Sequence, residues 1–224
     1  RVVAAPVTSV CASGVKRVFR LRLASGREGK ASGNHKFLSF AGWVALDDLN
    51  PGDRVAVPRR TPAPIVAEEW NTDEVLLLAH MLGDGSALPR QPLRYASIDE
   101  ANLAAVSTAA ERRFGVLVHR DEYAAARVTT LRFTSPHPVA RGRRNPMVKW
   151  LDGLGVYGLG SHEEVVPGVV YGLPDEQVAL FLRHLWATDG SVGSGSASSP
   201  PSVYYATTSR RLADGVVLLL SRFG

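Results

Sequence analysis

Two stretches of this chain end in the same acid and turn. Residues 74–86 read EVLLLAHMLGDGS and residues 179–191 read ALFLRHLWATDGS, so Asp84 and Asp189 each close an apolar helical run at Asp-Gly-Ser. A single Asp-Gly after a helix is ordinarily a turn or a helix stop. Two matched copies 105 residues apart suggest a shared task. Asp near a helix C-terminus faces the negative end of the macrodipole, a cost of about 0.3–1 kcal/mol unless a cation offsets it. If the two helices pack through small residues, Ala79 and Gly83 against Ala187 and Thr188, the carboxylates converge. With backbone carbonyls at Gly83 and Thr188 they make an oxygen-donor set suited to Mg²⁺. An ion held there activates water for attack on a phosphodiester and stabilises the leaving oxygen.

The elements that must position these acids repeat as well. Tyr95-Ala96-Ser97 is echoed by Tyr205-Ala206-Thr207, and Arg113-Phe114-Gly115 by Arg222-Phe223-Gly224. The offset grows because a Gly/Ser/Pro-rich stretch, residues 193–201, lengthens a loop in the second copy. Each copy is expected to be helix, two strands, helix, with second helices over Ala101–Arg113 and Arg210–Arg222. The first copy continues into strands Val116–Arg120 and Arg127–Phe133 and a helix near Pro146–Leu154. The second reaches Gly224 before any counterpart, so its half is expected to be incomplete. Leu76, Leu77, Leu180 and Phe181 should lie in the core between the helices.

Residues 1–60 read differently. Val15–Leu23 alternates apolar and basic residues before a turn at Ser25-Gly26, and Lys36–Val44 and Arg54–Pro58 read as further strands. Residues 59–67 are Pro-rich and look like a linker. The expected organisation is an all-β unit over 1–66 and an α+β unit over 67–224, with halves near 70–155 and 172–224. Cys11 is the single cysteine, which excludes an internal disulfide framework and a cysteine-built zinc site and fits a reducing cytoplasm. Lying in the strand-rich region, it is expected to be buried. No apolar run approaches the roughly 20 residues of a membrane helix, so no membrane partner is expected.

The net charge is +5, unevenly spread. Residues 1–66 carry 11 Lys/Arg against 4 Asp/Glu, and the remainder 15 against 17. Within the remainder, residues 90–149 hold 11 basic and 5 acidic side chains. Arg90, Arg94, Arg120, Arg127, Arg132, Arg141, Arg143, Arg144 and Lys149 could track the phosphates of double-stranded DNA. A solvated charged face is the plainer alternative.

At Leu77–Gly85 and Leu182–Gly190 the sequence resembles the two motifs of the LAGLIDADG homing endonucleases. That resemblance covers about residues 70–224. It implies a pseudo-twofold endonuclease with αββαββα halves, sheets that lie in the DNA major groove, and Asp84 and Asp189 as catalytic acids that use Mg²⁺ to cut both strands. One position departs: the family usually carries Lys in a K-x-I-P pattern, where this chain has Glu164-Val165-Val166-Pro167. Upstream, Ser32-Gly33-Asn34-His35, followed by Phe37, Gly42-Trp43, Leu49, Gly52-Asp53 and Val55, resembles the T-x-x-H block of Hint-fold inteins. The resemblance makes Ser32 and His35 splicing residues, His35 protonating the amide at the upstream junction. The whole run is most similar to actinobacterial inteins inserted in the replicative DNA helicase DnaB, whose flanking segments would be its partners in the precursor. An intein also needs a nucleophilic Cys or Ser at its start and His-Asn at its end, and neither is among these residues. Cys11, only 24 positions before His35, is too near to be that nucleophile. A duplicated chain has less need to dimerise, so a monomer is expected. Three other readings stay open: an intein with a dead nuclease, a DNA-binding regulator on the same scaffold, and an unrelated two-half metalloenzyme.

Overall fold

The computed structural model describes residues 5–123, 125, 127–137, 144–195 and 200–224. The chain divides into two compact units, residues 1–62 with 223–224, and residues 63–222.

The first unit is built from short hairpins. Strand β1, Val18–Arg22, pairs antiparallel with β2, Glu28–Ser32. Their turn closes through Leu23 and Arg27 and needs Gly26 at φ +81°. Strands β3, Lys36–Ser39, and β4, Gly42–Ala45, form a second hairpin, followed by a 3₁₀ turn at Leu46–Asp48. Phe19 and Leu21 are half-buried while Arg20 and Arg22 are exposed, the period-two pattern read in the sequence. The expected strand at Arg54–Pro58 reduces to a bridge between Val55 and Ser39 and a bond from Ala56 N to Leu38 O. Pro58 supplies no donor to extend the ladder. Cys11 corrects the sequence reading: it is exposed and lies in an irregular segment before β1, outside any strand.

The second unit carries the hydrophobic core. Helix α1, Thr72–Gly83, is capped by Asn71, whose side chain accepts from Asp73 N. Val75, Leu77, Leu78, Ala79, His80, Met81 and Leu82 are all buried, so α1 is enclosed on nearly every side, as a central helix must be. After it come β5, Gly85–Ser86, β6, Leu93–Ser97, and α2, Glu100–Phe114. Asp99 caps α2, and Gly115 ends it at φ +61°. Strands β7, Leu117–Tyr123, and β8, Val128–Thr134, complete an antiparallel sheet in the order β5-β6-β8-β7. Leu93, Tyr95, Leu131 and Phe133 point to the helix side of that sheet. Helix α3, Pro146–Gly153, packs near α2 through Trp150 and Phe114.

The second copy repeats this order as α4, Asp175–Asp189, β9, Gly190–Gly193, β10, Ser202–Tyr205, and α5, Arg210–Leu220. Ion pairs tie each second helix to the start of the first: Arg112 grips buried Asp73 in one copy, and Arg222 meets Asp175 at 2.7 Å in the other. Trp70 and Gln177 exchange backbone and side-chain hydrogen bonds of 2.9 and 2.7 Å, joining the segment before α1 to α4. Leu77 and Phe181 are fully buried, as expected. Leu76 and Leu180 are only partly so, because they sit at the rim of the helix pair. No helix among the described residues is long and apolar enough to cross a membrane.

Candidate functional site

Helices α1 and α4 pack against each other, and their crossing is set by Gly83. A Cβ on Gly83 would lie 2.0 Å from Thr188 Oγ1, so the two helices meet where one has no side chain. Gly83 and Thr188 hold the same place in the two copies. Thr188 Oγ1 donates to Leu185 O at 2.6 Å, which turns its methyl and hydroxyl along its own helix.

Asp84 and Asp189 follow this crossing by one residue, in matched surroundings. Ala96 N donates to Asp84 O, and Ala206 N to Asp189 O, each at 3.2 Å. Gly85 pairs with Tyr95 and Gly190 with Tyr205. A Cβ at Gly85 would strike Met81 O at 2.3 Å, and one at Gly190 would strike Trp186 O at 2.3 Å. Each acid therefore precedes a glycine that lets the chain turn tightly from helix into strand.

Burial and the neighbouring Asp189 charge push the Asp84 carboxyl up to about 6. Burial raises Asp189 as well. Glu164, half-buried and lining a cleft of about 410 Å³ with Gly83, Asp189 and Thr207, is pushed up to about 7 by burial and by Asp189. The Glu164 backbone is held by Ser209, whose Oγ donates to Glu164 O at 2.6 Å. Burial thus raises all three carboxyl groups, Asp84, Asp189 and Glu164, and repulsion from Asp189 adds to it at Asp84 and Glu164. Hard oxygen donors under mutual repulsion are the chemistry that a magnesium ion relieves, so the residues fit Mg²⁺. Among the described residues no three His, Cys, Asp or Glu side chains are already gathered into a metal cage.

A pH dependence follows. These acids bind their protons more tightly folded than unfolded, so the stability linked to them is fully present only below their unfolded values, 3.8 for Asp84 and 4.5 for Glu164. It is lost as pH rises through about 6 for Asp84 and about 7 for Glu164. His80 acts oppositely, because burial lowers it to about 4, and stability tied to it is lost as pH falls below 6.5. After allowance for solvent screening, Asp84 contributes about 1–2 kcal/mol. Thermal unfolding from pH 4 to 8 should therefore show a smaller decline for Asp84→Asn than for the native chain. Identical slopes would refute this.

The basic residues divide by face. Arg94 opposes Arg132 across β6 and β8, and His119 opposes Arg132 across β7 and β8, so all three share the side of the sheet away from the core. Arg132 is paired with Asp121 at 3.1 Å, and Arg94 is exposed. Arg120 lies on the helix side of the sheet, bound to Glu100 of α2 and apart from Arg94 and Arg132. Arg144 pairs with Asp152 at 2.6 Å and stacks on Tyr157, and Lys149 is exposed on α3, so neither stands on the sheet. Arg90 and Arg127 occupy turns at φ 64° and 52°. Arg141 and Arg143 lie outside the described residues.

In the first unit, Ser32 to His35 form a turn in which His35 N donates to Ser32 O at 2.9 Å and Ser32 Oγ donates to Asn34 Oδ1 at 2.9 Å. Asp47 occupies the space a Cβ on Gly33 would need. His35 is exposed, its ring edge-on to Phe37. Sequence reasoning missed His80, His184 and Tyr95 as a group. The available signal was a His four residues before Asp84 and a Tyr repeated in both copies.

Residues 176–224 match the LAGLIDADG-like domain family. The second copy carries a LAGLIDADG-like domain. Over 224 residues the chain is 40% identical to the replicative DNA helicase DnaB of Rhodothermus marinus, covering 98% of this chain and 23% of that protein. It is 38% identical to DnaB of a Nostoc species over 97% of this chain and 25% of the relative. It is also 32% identical to the protein RecA of Mycobacterium bovis, over 99% of this chain and 27% of the relative. The chain spans about a quarter of the length of the curated relatives it matches.

Proposed function

We propose that residues 63–222 belong to a LAGLIDADG homing endonuclease whose two halves are related by a pseudo-twofold axis between α1 and α4. Residues 1–62 are then part of a Hint-type splicing domain, and the whole is an intein of a DnaB-type replicative helicase. The observation that carries the nuclease reading is the matched placement of Asp84 and Asp189 beside the Gly83–Thr188 crossing. Similarity to stretches of both DnaB and RecA, proteins of different name, supports an inserted element.

When bound, Mg²⁺ supplies the Lewis acid that lets water attack a phosphodiester. Asp84 and Asp189 would hold it, one carboxylate from each half. Gly85 and Gly190 keep the chain close at the helix ends, so that phosphates can approach from the strand side. Arg94 and Arg132 bind the DNA backbone from the open face of the sheet. In the splicing unit, His35 polarises the upstream junction amide, with Ser32 ordering its turn. Glu164 favours a second reading, a nuclease that binds DNA without cutting, because a third carboxylate repels the reacting phosphate.

Incubation with a plasmid bearing an uninterrupted DnaB-type insertion site tests the proposal. The intact natural protein should linearise it in Mg²⁺, but not in chelator, and should leave a plasmid without the site intact. Neither cutting nor protection of the site would defeat both readings. Binding isolates the surface: Arg94→Ala should lower the slope of log affinity against log salt by about 1. Arg120→Ala, held on the other face by Glu100, should leave it unchanged. Equal slopes for native and Arg94→Ala chains would remove the sheet from the interface.

A further inference from the structure

A polar chain crosses the helix pair one turn before the acids. Tyr95 Oη lies 3.0 Å from His80 Nδ1, and His80 Nε2 lies 3.1 Å from His184 Nδ1. Tyr95 and His80 are fully buried, and His184 is partly so. With neutral rings the protons run in one sense along the chain, from Tyr95 through His80 to His184 or the reverse, and every inner nitrogen is satisfied. Burial holds His80 in the neutral form this requires. Around it stand Asp99 at the start of α2, Arg183 on α4, and Asp84 and Ser97 beside Tyr95.

The two histidines are not equivalent in the repeat. At the 105-residue offset His80 corresponds to Leu185, and His184 to Ala79. Two copies of the first half would set His80 against Ala79 and, although each His80 kept its own Tyr95, would leave its buried Nε2 without a partner. The chain can close only between unlike halves. It also resists sliding: one residue of slip moves a helix by 1.5 Å and breaks a 3 Å bond. Asp84 follows His80 by one helical turn, its backbone N donating to the His80 backbone carbonyl at 3.0 Å.

We propose that Tyr95, His80 and His184 are positioning residues that lock the register of α1 against α4 and so fix the separation of Asp84 and Asp189. The catalytic part of this rests on the nuclease reading above; the register part does not. The test uses spin labels at Thr72→Cys and Ala187→Cys, both exposed, with Cys11→Ser to remove the native thiol. The native pair should give one narrow distance distribution. His184→Ala and Tyr95→Phe should broaden or shift it, while Val216→Ala, a core truncation in α5, should lower thermal stability and leave it narrow. An unchanged distribution in His184→Ala and Tyr95→Phe overturns the lock, whatever the protein does to DNA. If the native protein cuts DNA, the same variants should show about a hundredfold lower kcat at unchanged Kd, the signature of misplaced rather than missing groups. A native protein that fails to cut would count against the nuclease reading and leave the distance result to decide the lock.

Discussion

Gly83→Leu should dismantle the second unit. The added Cβ would fall 2.0 Å from Thr188 Oγ1 and 2.4 Å from its Cβ, and three further carbons must then enter a helix crossing that has no room. Helix backbones can approach this closely only where a side chain is missing, and overpacking of a core costs about 1–3 kcal/mol even where neighbours can shift. Here the neighbour is a β-branched residue whose hydroxyl is tied to Leu185 O. The expected loss is therefore at the upper end, about 3 kcal/mol or more, enough to melt a marginal domain near physiological temperature. Thr188→Ala in the same background should recover part of it by vacating the clash. A Gly83→Leu protein with native thermal stability would show that the helices do not cross there.

Replacing either acid should move stability and catalysis in opposite directions. Asp84→Asn removes one of two like charges from a site where burial and Asp189 already hold the carboxyl up to about 6. At pH 7.5 the variant should be more stable than the native chain by about 1–2 kcal/mol in the absence of divalent metal. Mg²⁺ should raise the melting temperature of the native protein and act less on Asp84→Asn, because binding to the folded state stabilises by mass action. Phosphodiester cleavage should fall by about a thousandfold or more, as loss of a group that stabilises transition-state charge commonly costs. Asp189→Asn should behave alike in activity, with a smaller gain in stability because Asp189 is the more exposed acid.

The duplicated frame was legible in the sequence because an apolar helix closed by Asp-Gly-Ser is a rare pattern to find twice in register. It located α1 and α4, and the second helices α2 and α5, to within a few residues. Strand edges were less legible. Arg54–Pro58 has the composition of a strand, but it forms a single bridge, since pairing depends on a partner that local sequence does not name. Cys11 was misread because residue type predicts burial only where a core exists, and the described residues of the first unit contribute none of the fully buried hydrophobic side chains. Arg120 shows the limit for charged surfaces: its place in a basic run is visible, whereas its side of β7 follows from the pairing register with β8. The His80–His184 contact joins residues 104 apart, and no local pattern encodes such a pairing.

The most direct measurement is cleavage of a duplex carrying the uninterrupted insertion site, labelled separately on each strand, by the native protein, Asp84→Asn and Asp189→Asn in Mg²⁺. If the two acids form one site for both strands, the native protein cuts both labels and each variant loses the double-strand cut. Native-like cutting of both strands by either variant would contradict the account.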